Sequence, residues 1–169
     1  MDETERLIDV TLDEAGLPAP TPEMDQERRV AIFDLLEQNR FSLFDRKAGH
    51  PDQGPYRLRL SAQDNSILLD VSTEAGEHLD AHVLPLTGLA QTLRDYLDIC
   101  ESYGDAVKGR SPAQIETSDA ARRGIHDEGA RDLMRRLEDA IEVDMETARR
   151  LFSLIAVLLP DRHSARRTP

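Results

Sequence analysis

The run Leu151–Leu159 (Leu-Phe-Ser-Leu-Ile-Ala-Val-Leu-Leu) constrains this chain more than any other stretch, because eight of its nine residues are apolar. A segment that is hydrophobic on every side has to be buried. As a helix it spans roughly 14 Å at about 1.5 Å per residue, well short of the ~30 Å of a bilayer core. It is therefore expected to be a core helix. Asp144 supplies an N-cap acceptor, Glu146 an acid in the first turn and Pro160 a stop. Whatever else the chain forms must be wrapped around this rod.

Upstream, alternation of Ile8, Val10 and Leu12 with Asp9 and Thr11 predicts a half-buried strand. The Pro-rich stretch Leu17–Pro22 breaks the chain, and Thr21 with Pro22 starts an amphipathic helix that carries Val30, Ile32, Phe33, Leu35 and Leu36. Phe41-Ser42-Leu43 offers a short strand, and Asp45–Pro55 reads as a mobile loop. Three alternating runs follow, each with an expected core face: Tyr56, Leu58, Leu60; Ile67, Leu69, Val71; and Leu79, Ala81, Val83. Turn residues separate them, which predicts an antiparallel meander with one wet face.

The second half is helical. A stripe of Leu89, Leu93, Tyr96, Leu97, Cys100, Tyr103 and Val107 predicts one long helix. Ser111-Pro112-Ala113-Gln114 is a capping box that opens another. The segment Gly124–Gly129 reads as a break, after which Ala130, Leu133, Met134, Leu137 and Ile141 form a new helical stripe. The expected fold is α+β: a small antiparallel sheet, or meander, packed against a C-terminal helical bundle with a buried last helix. Residues 1–160 form the single domain, and 161–169 a disordered basic tail.

Charge restricts the partners. With 33 acidic and 21 basic residues the net charge is −12, which repels phosphate backbones and anionic lipid alike. Neither nucleic acid nor a membrane is an expected partner. Residues 1–5 lack the positive start and apolar middle of a signal peptide, and one cysteine cannot form an internal disulfide. A cytoplasmic location is the expectation.

Several segments taken together identify a resemblance. Glu27-Arg28-Arg29-Val30-Ala31-Ile32, Ser111-Pro112-Ala113-Gln114-Ile115-Glu116, Arg123-Gly124-Ile125-His126, and Val143-Asp144 with Thr147-Ala148-Arg149-Arg150-Leu151-Phe152 are similar to signature segments of uncharacterised protein family 0262, a group of small alphaproteobacterial proteins. The similarity runs from about Leu7 to Leu159. Gly104 stands where a second aromatic after Tyr103 is expected, and Asp127 where an amide is expected. The resemblance implies a bacterial, cytoplasmic protein and brings no activity with it.

Chemistry concentrates at the expected helix break. A new helix starting near Asp127 would offer free backbone N–H groups, and Arg122 and Arg123 one turn earlier could meet an anion there, with His126 or Glu128 moving a proton and Arg149 joining from the last helix. The plainer alternative is that Asp127 and Glu128 cap a helix and pair with the arginines. His78, Asp80 and His82 on one strand invite comparison with a metal site but lack a further ligand motif, so no metal and no cofactor are expected. Cys100, on an apolar stripe and with no nearby helix start or basic neighbour expected to lower its pKa, reads as a packed core thiol. Gly-rich phosphate loops, zinc-binding His-Glu-x-x-His helices, Cys-x-x-Cys pairs and nucleophile elbows are all missing. The leading expectation is a non-catalytic interaction or regulatory module that binds a protein partner or itself. The alternative is a small enzyme or ligand-binding protein for an anionic substrate at Arg122, Arg123, His126 and Glu128.

Overall fold

A computed structural model describes residues 4–17, 19–43, 54–109 and 111–158, with side chains placed outside 101–108. Most of the loop expected over 45–55, the stop at Pro160 and the tail 161–169 lie outside these described residues, as do the side chains of the stripe positions Tyr103 and Val107. Strand β1 (Leu7–Asp13) and a single 3-10 turn (Glu14–Gly16) precede helix α1 (Pro22–Glu37) and strand β2 (Phe41–Leu43). Strands β3 (Tyr56–Gln63), β4 (Ser66–Thr73) and β5 (His78–Pro85) follow. Helices α2 (Leu89–Gly109) and α3 (Pro112–Leu137), strand β6 (Ile141–Val143) and helix α4 (Met145–Leu158) complete the described chain. The fold is α+β.

The rod is where the hydrophobic argument puts it. Leu151, Phe152, Leu154, Ile155 and Ala156 of α4 are fully buried, and Leu158 nearly so. The helix opens as expected, with Asp144 Oδ1 accepting from the Thr147 N–H at 2.9 Å. Thr147 is itself buried and its hydroxyl accepts from the Arg40 N–H at 2.8 Å. The Arg150 guanidinium donates to the Gln38 carbonyl. These two contacts fix the start of α4 against the end of α1, and α4 runs back along α1 from there.

Strands β3, β4 and β5 form the expected antiparallel meander, with Leu58, Leu60, Ile67, Leu69 and Val71 in the core. The sheet is wider than the meander, in the order β1-β3-β4-β5, and β1 joins β3 in parallel, so the whole sheet is mixed. Asn39, just past α1, holds the outer edge of β1 by accepting from the Leu7 N–H at 2.7 Å and donating to the Leu7 carbonyl at 3.1 Å. That side chain stands in for a strand neighbour.

The structure corrects three expectations. First, β5 presents the opposite face. A register shift between Val71 and Ser72 places Asp80, His82 and Leu84 opposite Val71, Leu69 and Ile67. Leu84 is buried while Val83 is 57% exposed and Ala81 is exposed too. Alternation alone does not say which face is inner when a bulge intervenes and the strand lies at a sheet edge. Second, Ile141 belongs to β6, not to a helical stripe, and pairs with Leu43 in a separate two-stranded sheet, β2–β6. Third, α3 is unbroken from Pro112 to Leu137. Its capping box forms as read, with Ser111 and Gln114 bonded reciprocally. Gly129 is buried, and a Cβ there would collide with the Phe152 ring of α4. This glycine is a socket for an aromatic ring, and the helix tolerates it at a cost of about 1 kcal/mol relative to alanine.

Candidate functional site

The unbroken α3 removes the helix start on which an anion site at Asp127 was predicated, since mid-helix N–H groups are already bonded within the helix. What the region holds instead is a three-helix knot of α2, α3 and α4. Arg122, His126, Gly129 and Leu133 follow one another at helical spacing on the inward side of α3. The His126 ring stacks on Tyr96 of α2, with centroids 4.8 Å apart and planes at 22°. Phe152 of α4 lies 5.8 Å from His126 and meets Tyr96 edge-on at 5.3 Å.

His126 Nε2 lies 2.8 Å from the Arg149 carbonyl and 3.0 Å from Ser153 Oγ. A carbonyl only accepts, so Nε2 carries the hydrogen and the serine oxygen shares it as a second acceptor. The imidazole is held below its ordinary pKa, chiefly by burial, against the Arg149 carbonyl bond that favours the charged form. Burial also raises the Tyr96 phenol, and the nearby Ser153 hydroxyl offsets part of that. His126 is therefore a neutral donor at pH 7, and its Nε2 is not available as a general base.

Each arginine of the cluster has a carboxylate. Arg122 donates to Asp119 at 2.6 Å and Arg123 meets the other oxygen of Asp119 at 3.1 Å. Arg149 binds Asp127 at 2.7 Å and also Glu146. The hydrogen bond from Arg122 holds the Asp119 carboxyl below the usual carboxylate range, and that from Arg149 does the same for Asp127. The cluster has three guanidiniums against three carboxylates and offers no surplus positive charge. Arg122, His126 and Arg149 are brought together, Arg123 stays at the exposed margin, and Glu128 is exposed on another side of α3.

Sequence reasoning missed Ser153 and Tyr96 as partners of His126. Ser153 had one signal, being the sole polar residue in the apolar run. Cys100 is packed against the core as expected, but it does have a basic neighbour, since Arg122 of α3 comes within electrostatic reach of it. His78 turns to the outer face of the sheet and meets Asp70 at 3.4 Å, away from Asp80 and His82, because of the register shift beside it. Among the described residues no group of three or more His, Cys, Asp or Glu side chains is placed to hold a metal ion. None of their helices is long and apolar enough to cross a membrane.

Comparison with other proteins gives a consistent result. The family model described as Uncharacterised protein family (UPF0262) matches residues 4–160. A UPF0262 protein of Roseobacter denitrificans is 52% identical over 153 residues, covering 90% of this chain and 96% of the relative. One of Paracoccus denitrificans is 50% identical over 155 residues, covering 92% and 96%. One of a Jannaschia species is 53% identical over 154 residues, covering 90% and 96%. No solved structure matches the fold.

Proposed function

Because the chain belongs to the uncharacterised protein family UPF0262, a name that carries no reaction, we propose a role from its own side chains: a non-catalytic interaction or regulatory module of the cytoplasm, binding a protein partner or a second copy of itself. One observation carries this reading. Phe33 is 66% exposed and Val30 47% exposed, three residues apart at the centre of the outward side of α1. Gln26 and Glu37 extend that side at its two ends and are exposed as well. Large apolar side chains kept in water at adjacent helical positions are the anchors that helix-mediated contacts use. The state of the α3–α4 cluster weighs in the same direction, since its cations are neutralised and Nε2 of His126 is spent on a main-chain carbonyl. The competing reading, an enzyme or ligand-binding protein for an anionic substrate at Arg122, Arg123, His126 and Glu128, requires Asp119 and Asp127 to give up their guanidiniums first.

The test is light scattering over a concentration series together with affinity capture from extract of a native host, using wild type and Phe33→Asp. Wild type is expected to self-associate or to retrieve one reproducible partner. The variant should lose that association at least tenfold while its melting temperature stays nearly unchanged, as exposed substitutions seldom cost more than about 0.5 kcal/mol. A wild-type protein that is strictly monomeric and retrieves nothing reproducible would end this reading.

A further inference from the structure

The inner side of α1 holds a group that neither the fold nor the interaction reading uses. Arg28 is 2% exposed, more deeply buried than any other charged residue described. Its Nε, Nη1 and Nη2 are all enclosed and have no hydrogen-bond partner among the described residues. A guanidinium carries five N–H donors and stays protonated in proteins. Buried polar groups are almost always bonded, and a buried charge without a counter-charge is among the most costly features a fold can contain. By contrast Arg29, Arg57, Arg59, Arg122 and Arg149 each meet a carboxylate.

Among the described residues, the carboxylates of the elements that α1 packs on are already engaged. On its own helix Asp25, one turn earlier, is taken by Arg29 at 2.9 Å. Helix α1 packs chiefly on α4 and β1. On β1, Asp9 binds Arg57 at 3.1 Å and Asp13 binds Arg59 at 3.2 Å. On α4 the acid is Glu146, which binds Arg149, and the rest of that helix toward Leu158 is apolar apart from Ser153.

We propose that Arg28 anchors a buried oxyanion site on the inner side of α1, where it takes the carboxylate or phosphate group of a small ligand through two parallel N–H···O bonds. The planar fork of arginine suits either group, and the apolar flank of α4 would strengthen the pairing by excluding water. The site is separate from the outward face that carries Phe33, so either can fail without the other.

The test uses the full chain, exhaustively dialysed into an anion-poor buffer, with inorganic phosphate and succinate as the two probes. Thermal shift and titration calorimetry are run on wild type, Arg28→Met, Arg28→Lys and the exposed control Arg29→Met. Wild type should bind one of the two probes saturably and gain several degrees in melting temperature. Arg29→Met should retain that response, Arg28→Lys should bind at least tenfold more weakly, and Arg28→Met should not respond. Which probe binds separates a phosphate ligand from a carboxylate ligand. The inference is overturned if neither probe binds wild type, or if Arg28→Met responds as wild type does. If Arg28→Met does not fold, unchanged affinity in Arg28→Lys overturns it equally.

Discussion

Where α3 meets α4, every guanidinium of the cluster has a carboxylate within 3.1 Å or closer, and the one buried imidazole is neutral and bonded to a carbonyl. On α1 the arrangement is reversed. Apolar side chains face water at Val30 and Phe33, while the guanidinium of Arg28 is enclosed without a partner among the described residues. In the first region the charges of the candidate site are paired with one another along a helix seam. The second leaves two demands unmet, one apolar and one ionic, on opposite sides of a single helix. Function is better sought at unmet demands than at dense charge.

The comparison breaks first, and most forcefully, at Phe152. If the seam is a structural knot, Phe152→Ala should destabilise the protein by about 3–5 kcal/mol, read by denaturant unfolding, because it removes a fully buried ring shared by Tyr96, His126 and Gly129. A loss below about 1 kcal/mol would mean that the three helices do not depend on one another there.

The helix caps give a smaller contrast. Asp144→Ala at the start of α4 should cost about 1–2 kcal/mol, whereas Thr21→Ala, an exposed cap on α1 bonded to the Met24 N–H at 3.1 Å, should cost about 0.5 kcal/mol. Equal costs would remove the claim that α4 is the better anchored of the two helices.

The smallest effect is a slope. Since the pKa of folded His126 is lowered below the unfolded value of about 6.5, the unfolded chain takes up a proton first as pH falls. Stability contributed by neutral His126 is present above that value, falls as pH drops through it, and stops falling once the folded imidazole also protonates. Melting temperature between pH 8 and 5 should therefore decline less steeply in His126→Gln than in wild type. Parallel curves would show that burial does not shift this imidazole.

How much of this was legible in the residues depended on how local the determining interaction is. The rod of α4, the caps at Asp144, Ser111 and Thr21, and the inner faces of β3 and β4 were readable because each is set by neighbours within a few positions. Gly129 was misread because its reason lies on another helix: only the Phe152 ring distinguishes a packing glycine from a breaking one. The face of β5 was lost to a register shift that alternation cannot reveal, and Ile141 to a partner strand at Leu43. The neutralised state of the Arg122–Arg149 cluster depends on Asp119 and Asp127 meeting guanidiniums in three dimensions. Family membership was readable from segments spread along the chain, and it is matched over residues 4–160. The burial of Arg28 had no signal, since periodicity places an arginine on the outside by default.

The small β2–β6 ladder joins Phe41 to Val143, and the innermost helix comes directly after it. A ribosome making this protein emits the sheet and α1 long before it emits the piece that seals them. Until then the greasy undersides of α1 and β3 have nothing permanent to rest on, so closure is a late, long-range event rather than a stepwise one. A nascent chain cut just before Ile141 should accordingly be sticky and protease-sensitive.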